Sequence, residues 1–303
     1  MATIGELDIG GQRAIVHDEG HAAGFFHTFD RFEPSWRPAE RRKIRIFLPR
    51  DYAPSPRKYR VVYMNDGNTA FFRGGPANLS WDMAAALDSP GDDRVTRDVI
   101  VVAIDPINRN REYTHVPWGG PDCCGLEEYA GFVADDVKGF VDTHYATRTE
   151  ATSAMMLGSS HGGLAAFYIA SRRPDRFGTL AAFSPSFWVG LDQRTAFCLA
   201  EPAPQKTLAA SELLRLLRPG LKARGARPRI LLQWGLVRGG GAHNAEIEER
   251  ATVRGREMAE LLIEGFGYQP EDELVVIEDP AGEHNEITWG RHVPRALAFF
   301  AGR

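Results

Sequence analysis

Ten residues constrain this chain more than any other stretch: Met155-Met156-Leu157-Gly158-Ser159-Ser160-His161-Gly162-Gly163-Leu164. A continuously apolar run with the pattern of a buried strand enters Gly158-Ser159-Ser160-His161-Gly162, and an amphipathic run, Leu164–Ala170, leaves it. G-x-S-x-G between a strand and a helix is the context in which that motif makes a tight turn at the end of a sheet strand. The turn forces the central residue into a strained conformation and brings backbones close together, so the flanking positions call for glycine. Ser160 Oγ is then expected to project above a sheet. The His161 amide falls at the helix N-terminus, where unpaired N–H groups and the helix dipole stabilise developing negative charge.

The rest of the chain supplies the sheet that such a turn requires. Short, β-branched apolar runs at Ile44–Leu48, Val61–Met64, Val99–Ile104, Ser153–Leu157, Leu180–Phe183, Ile230–Gln233 and Leu274–Ile277 read as strands, several with no polar alternation. Strands buried on both faces look like this, and they are usually parallel. Between them, Glu127–His144, His161–Ser171, Ala209–Leu217, Ile247–Glu264 and Val293–Ala301 repeat apolar residues at three- and four-residue steps. Strand alternating with helix predicts an α/β fold with a mostly parallel central sheet and helices on both faces. The loops Pro49–Pro56 and Gly239–Gly241 are too short to be linkers, so the 303 residues read as one domain. Residues 41–303 form its α/β body. Residues 1–40, with Gly24, Pro34 and Pro38, have weaker periodicity and are expected to be an irregular or antiparallel edge of the same domain.

Composition excludes some functions. A formal net charge of −4 offers no global field for a nucleic-acid backbone or an anionic membrane surface. No apolar stretch approaches the roughly 18 residues that span a bilayer, and the N-terminal residues lack a basic, then apolar, secretory pattern. The expectation is a cytoplasmic protein. Cys123 and Cys124 are adjacent and Cys198 stands alone, which fits neither a metal site nor a redox pair and reads as incidental thiols. His17-Asp18-Glu19-Gly20-His21 has the His spacing of a zinc helix. Asp18 stands where that motif needs Glu, however, and Gly20 weakens a helix, so no metal is expected.

A serine nucleophile needs a base, because its free hydroxyl is almost wholly protonated at neutral pH. His284 alone among nine histidines follows the last strand within a loop, Asp279-Pro280-Ala281-Gly282-Glu283-His284-Asn285-Glu286, which is the place a G-x-S-x-G architecture assigns to the base. His161 reads as a neighbour of Ser160 whose side chain points elsewhere, and His292 as a structural residue at a helix start. A carboxylate between Ser160 and His284 would orient the imidazole. Glu246, Glu248 and Glu249 are the candidates, since Trp234-Gly235-Leu236-Val237-Arg238 contains no acid.

Several further segments, in order, carry a resemblance. They are Phe47-Leu48-Pro49-Arg50-Asp51-Tyr52, Val62-Tyr63-Met64-Asn65-Asp66-Gly67, Asn108-Arg109-Asn110-Arg111-Glu112-Tyr113 and Glu128-Tyr129. After the serine turn come Pro174-Asp175-Arg176-Phe177, Ser184-Pro185-Ser186-Phe187-Trp188, and Gly282-Glu283-His284-Asn285 with Trp289. Over residues 40 to 301 the chain resembles the α/β-hydrolase esterase family that includes enterobactin-type esterases, feruloyl esterase domains and mycolyltransferases. The resemblance implies Ser160 as nucleophile, His284 as base, and an oxyanion hole from the amides of His161 and Asn68. Many members carry the acid where this chain has Arg238. Mycolyltransferase-like members use a glutamate at the start of the next helix instead, which favours Glu248 ahead of Glu246 and Glu249. The implied activity is serine-dependent hydrolysis of a small-molecule ester without a cofactor. Acyl transfer to another alcohol, or a silent binding role on the same fold, are the alternatives. Trp118, Trp188 and Trp289, with Phe187, fall in loops around the serine, where they either line the substrate pocket or only close the core. Arg109 to Arg111 resemble a loop held by a structural ion pair with Glu112.

Overall fold

The computed structural model describes residues 2–34, 40–53, 56–88, 99–118, 120–192, 207–223 and 225–302. Its centre is a sheet of ten strands: β1 (Ala2–Ile9), β2 (Gln12–Asp18), β3 (Gly24–Phe32), β4 (Arg42–Pro49), β5 (Arg60–Met64), β6 (Val99–Ile104), β7 (Ala154–Ser159), β8 (Thr179–Phe183), β9 (Arg229–Gly235) and β10 (Leu274–Asp279). They lie in the order β1-β2-β3-β4-β6-β5-β7-β8-β9-β10. From β6 to β10 every neighbouring pair is parallel, while β1 to β4 are antiparallel to one another and β4 is antiparallel to β6. The first three strands therefore extend the same sheet as an antiparallel edge.

The uninterrupted apolar runs are explained by burial on both sides. Successive side chains of a strand point to opposite faces. Val61 and Tyr63 pack into one core and Val62 and Met64 into the other; on β7, Met156 faces the first and Met155 and Leu157 the second. The first face is covered by the helix Ser160–Arg172, by Glu212–Lys222, by Glu249–Glu260, and by Leu126–Gly131, which continues through a π turn (Phe132–Val137) into Lys138–His144. The second face is covered by Met83–Leu87 and by the C-terminal helix Glu286–Phe300.

Two helices differ from their expected bounds. The Ser211 hydroxyl accepts from the Leu214 N–H at 3.1 Å and starts its helix at Glu212, later than Ala209. The C-terminal helix starts at Glu286, where Asn285 caps the Thr288 N–H, and continues through Pro294. Pro294 forfeits one backbone donor, but the buried stripe of Trp289, Val293, Ala296, Leu297 and Phe300 spans it. His292 is consequently inside this helix rather than at its start, with Nε2 2.9 Å from Asp279.

The arginine loop is tied differently from the expected pair within 109–112. Glu112 accepts both Nη1 and Nη2 of Arg42, each at 3.0 Å, from 70 residues away. Arg109 instead clamps Asp66, and Arg111 reaches Glu128. Cys123 and Cys124 are also corrected: they are joined to each other in a disulfide, with Cys124 in the left-handed region, so they are not free thiols. Cys198 and Pro38 lie outside the described residues. Among the described residues, no helix is long and apolar enough to cross a membrane. His17 sits on β2 against Thr28 and Glu19 rather than on a helix.

Burial pushes the pKa of His27 on β3 down to about 4, and it does the same to His115. An unfolded chain binds protons on these imidazoles near pH 6.5 while the folded chain does not, so stability falls as pH drops from about 6.5 towards 4. Thermal melts over that window are expected to show this loss, and His27→Gln to flatten it; an equal slope in the variant would contradict the assignment.

Candidate active site

Strand β7 is buried along its whole length and ends at Ser159; the helix begins at Ser160, whose φ is +53°. Holding a serine in the left-handed region costs energy, of order 1–3 kcal/mol, which surrounding contacts have to offset. The flanking glycines make those contacts possible. A Cβ on Gly158 would come 2.2 Å from the Gly162 carbonyl oxygen, and one on Gly162 would come 2.6 Å from Asp66 Oδ2. Ser160 is left at the carboxyl end of a central parallel strand, where open α/β sheets bind their ligands.

Because β5 is the immediate neighbour of β7, the turn after β5 lies beside the serine turn. Asn65 Nδ2 donates to the Gly162 carbonyl at 2.8 Å, and Tyr129 Oη donates to Asn65 Oδ1 at 2.8 Å. Asp66, with φ +54°, is gripped by Arg109 through Nε (2.7 Å) and Nη2 (2.9 Å), and its N–H donates to Tyr113 Oη. These bonds hold the backbone that leads into Asn68 and tie that turn to the serine turn through Gly162.

His284 reaches the serine from the loop after β10. Its Nε2 is 3.0 Å from Ser160 Oγ, and its Nδ1 is 2.5 Å from Glu248 Oε2. Its own N–H donates to Asn244 Oδ1 at 2.9 Å. The loop is anchored by Gly282, whose carbonyl accepts from the Val237 N–H and where a Cβ would come 2.8 Å from Gly235 Cα. Glu283 is held by its N–H, which donates to Thr288 Oγ1, and by its carboxylate, which accepts from Asn285 Nδ2.

Glu248 is fully buried, in a π turn (His243–Glu248) that leads into the helix Glu249–Glu260. Its Oε1 accepts the Ser184 hydroxyl at 2.8 Å and the Gly235 N–H. A buried carboxylate needs such donors to remain ionised. Of the three candidate acids, Glu248 is the one hydrogen-bonded to His284. Arg238, which the resemblance places at the alternative position for the acid, instead donates to the Gly235 and Val237 carbonyls and to Thr252 Oγ1. His243 stacks near the His284 ring at 6.0 Å, and burial first, then that neighbour, holds its pKa below the usual imidazole range.

The aromatic residues divide. Trp118 is half-buried, its ring edge-on to His161 at 4.9 Å. Trp188 and Phe187 are fully buried in the core, and Trp289 is 5% exposed, behind His284 with ring centroids 5.1 Å apart. Trp188 and Trp289 thus back the site instead of lining an open pocket. The His161 side chain is also placed differently from expectation. It turns toward the side of the serine turn, with Nδ1 2.9 Å from Ser186 Oγ. In the sequence Ser184 and Ser186 stand only as part of the segment Ser184-Pro185-Ser186-Phe187-Trp188. The sign of their importance was the strand end before Pro185, facing the serine turn across the β7–β8 pair.

A mostly parallel sheet covered by helices, with serine, histidine and a carboxylate converging at the carboxyl ends of its strands, defines an α/β-hydrolase. The chain belongs to the family described as Putative esterase, which matches residues 35–300. It is similar to an IroE-like serine hydrolase from Shewanella oneidensis, at 20% identity and TM-score 0.62, over 91% of this chain and 80% of that one. It is also similar to the siderophore hydrolase EstB from Aspergillus nidulans, at 18% identity and TM-score 0.62, over 94% and 95%. The enterobactin esterase FES from Shigella flexneri is 16% identical with TM-score 0.57, over 85% of this chain and 55% of that one. A Bacillus subtilis protein, Uncharacterized protein YbbA, is 24% identical over 158 residues, which span 50% of this chain and 59% of that protein.

Proposed function

We propose that the protein is a serine-dependent hydrolase of small-molecule carboxylic esters that works through an acyl-enzyme. The observation that carries this reading is the continuous chain Ser160 Oγ–His284 Nε2 (3.0 Å) and His284 Nδ1–Glu248 Oε2 (2.5 Å). Ser160 attacks the ester carbonyl while His284 takes its proton. Glu248 holds the imidazole with its proton on Nδ1 and stabilises the imidazolium. The amides of His161 and Asn68 receive the oxyanion. His284 then protonates the leaving alcohol and activates water for the second half of the reaction. The chemistry asks for no metal or organic cofactor.

A fluorophosphonate probe is expected to label the purified protein once, at Ser160, and labelling is expected to vanish in Ser160→Ala. Labelling that persists in that variant would overturn the assignment. The siderophore hydrolase and the enterobactin esterase among the structural neighbours favour siderophore esters. Initial rates on a p-nitrophenyl acyl series, a feruloyl ester and a siderophore ester would order these preferences.

A further inference from the structure

His161 and Ser186 are a buried titratable group and a buried hydroxyl beside the nucleophile, and the proposed mechanism leaves both side chains unused. Ser186 Oγ lies 2.9 Å from His161 Nδ1 and 3.5 Å from Ser160 Oγ, and the Ser186 N–H donates to the Ser160 carbonyl at 3.0 Å. Counting donors assigns the direction of each bond. The Glu248 carboxylate accepts only, so His284 carries its proton on Nδ1 and presents a lone pair at Nε2. Ser160 has one proton, and it goes to that lone pair. Ser160 Oγ can therefore meet Ser186 only as an acceptor, so a bond between them at 3.5 Å takes the single proton of Ser186. With that proton committed, Ser186 can meet His161 Nδ1 only as an acceptor, which places a proton on that nitrogen.

We propose that Ser186, oriented by His161, is a further catalytic residue whose hydroxyl donates to Ser160 Oγ and assists release of the acyl-enzyme. This rests on Ser160 acting as the nucleophile. In deacylation, water adds to the acyl carbon and the tetrahedral intermediate collapses. The C–Oγ bond breaks, its electron pair goes to Oγ, and the proton comes from His284 Nε2–H. Ser186 keeps its proton throughout; its hydrogen bond strengthens as charge builds on Oγ, which makes the serine oxygen a better leaving group. In acylation the same bond gives no comparable gain, because it withdraws electron density from Oγ while that atom is attacking. The effect therefore falls on the second half of the reaction.

Stopped-flow measurement with p-nitrophenyl acetate separates the two halves. Ser186→Ala is expected to slow deacylation about tenfold and change acylation by less than about threefold, so that kcat and KM fall together and kcat/KM holds. His161→Phe keeps a ring against Trp118 and removes the N–H; it is expected to show the same deacylation defect. The double variant should be no slower than either single one, because the two side chains act as one unit. His161→Asn, which keeps a short N–H donor, is expected to recover part of the rate. Equal losses in both steps, or unchanged deacylation in Ser186→Ala and His161→Phe, would overturn the inference while normal fluorophosphonate labelling leaves the role of Ser160 standing. If the wild-type protein is not labelled at Ser160, the nucleophile reading fails and this one fails with it.

Discussion

Ser160→Ala is expected to lower kcat for a short p-nitrophenyl ester by about 10⁵- to 10⁶-fold, and His284→Ala by a similar amount. The two losses should not add. The hydroxyl is a useful nucleophile only while Nε2, at 3.0 Å, removes its proton, so deleting either group disables the same step. The double variant is therefore expected to sit within a few-fold of each single one. What remains should exceed the uncatalysed rate by about 10³-fold, because the amides proposed for the oxyanion hole, those of His161 and Asn68, belong to the backbone and survive both substitutions. Active-site titration alongside the initial rates distinguishes this from trace wild-type contamination. Multiplicative losses in the double variant would show that serine and histidine act in separate steps. Fold is not at issue in Ser160→Ala, since the strand β7, the glycine packing and the bond from Ser186 N–H to the backbone carbonyl of residue 160 do not involve the hydroxyl.

What the chain disclosed before its structure was known follows the range of each signal. The parallel strands were legible because burial on both faces removes polar residues from a short window: β6, Val-Ile-Val-Val-Ala-Ile, is buried at all six positions. Ser160 was legible because its strained turn needs glycines within two residues on each side. His284 was legible through its loop and its place after the last strand. The N-terminal strands were harder, because pairing of β3 with β4 shifts register between Phe29 and Phe32 and the alternation of period two is broken there. Partners distant in sequence were not legible at all. Arg42 with Glu112, and Asp66 with Arg109, are charges that any surface helix or loop could carry until the sheet order brings β4, β5 and β6 together. The turn of His161 toward Ser186 depends on the pairing of β7 with β8, and no local pattern predicts it.

The acid is the point where local reading stopped at three candidates, and it yields the second large effect. Glu248→Gln is expected to lower kcat by about 10³- to 10⁴-fold, whereas Glu246→Gln and Glu249→Gln should stay within about twofold of wild type. Glutamine keeps the volume of a fully buried side chain, so the loss measures charge and hydrogen-bond direction rather than a cavity. The amide has one accepting oxygen where the carboxylate has two. Glu248 needs both, since Oε1 takes the Ser184 hydroxyl and the Gly235 N–H while Oε2 takes His284 Nδ1–H. If the amide oxygen stays with Gly235 and Ser184, its NH₂ faces Nδ1, which must then accept and move its proton to Nε2. That tautomer cannot take the proton of Ser160. If the amide flips to serve His284, its NH₂ meets the Gly235 N–H, and a buried donor is left facing another donor at a cost of about 1–3 kcal/mol. Either outcome slows catalysis, and the second also lowers the melting temperature, so kcat and thermal stability measured together identify which orientation the glutamine adopts. Wild-type activity in Glu248→Gln, with loss in Glu246→Gln or Glu249→Gln instead, would move the acid to that residue and remove the mechanistic role given to the bond between Glu248 and His284.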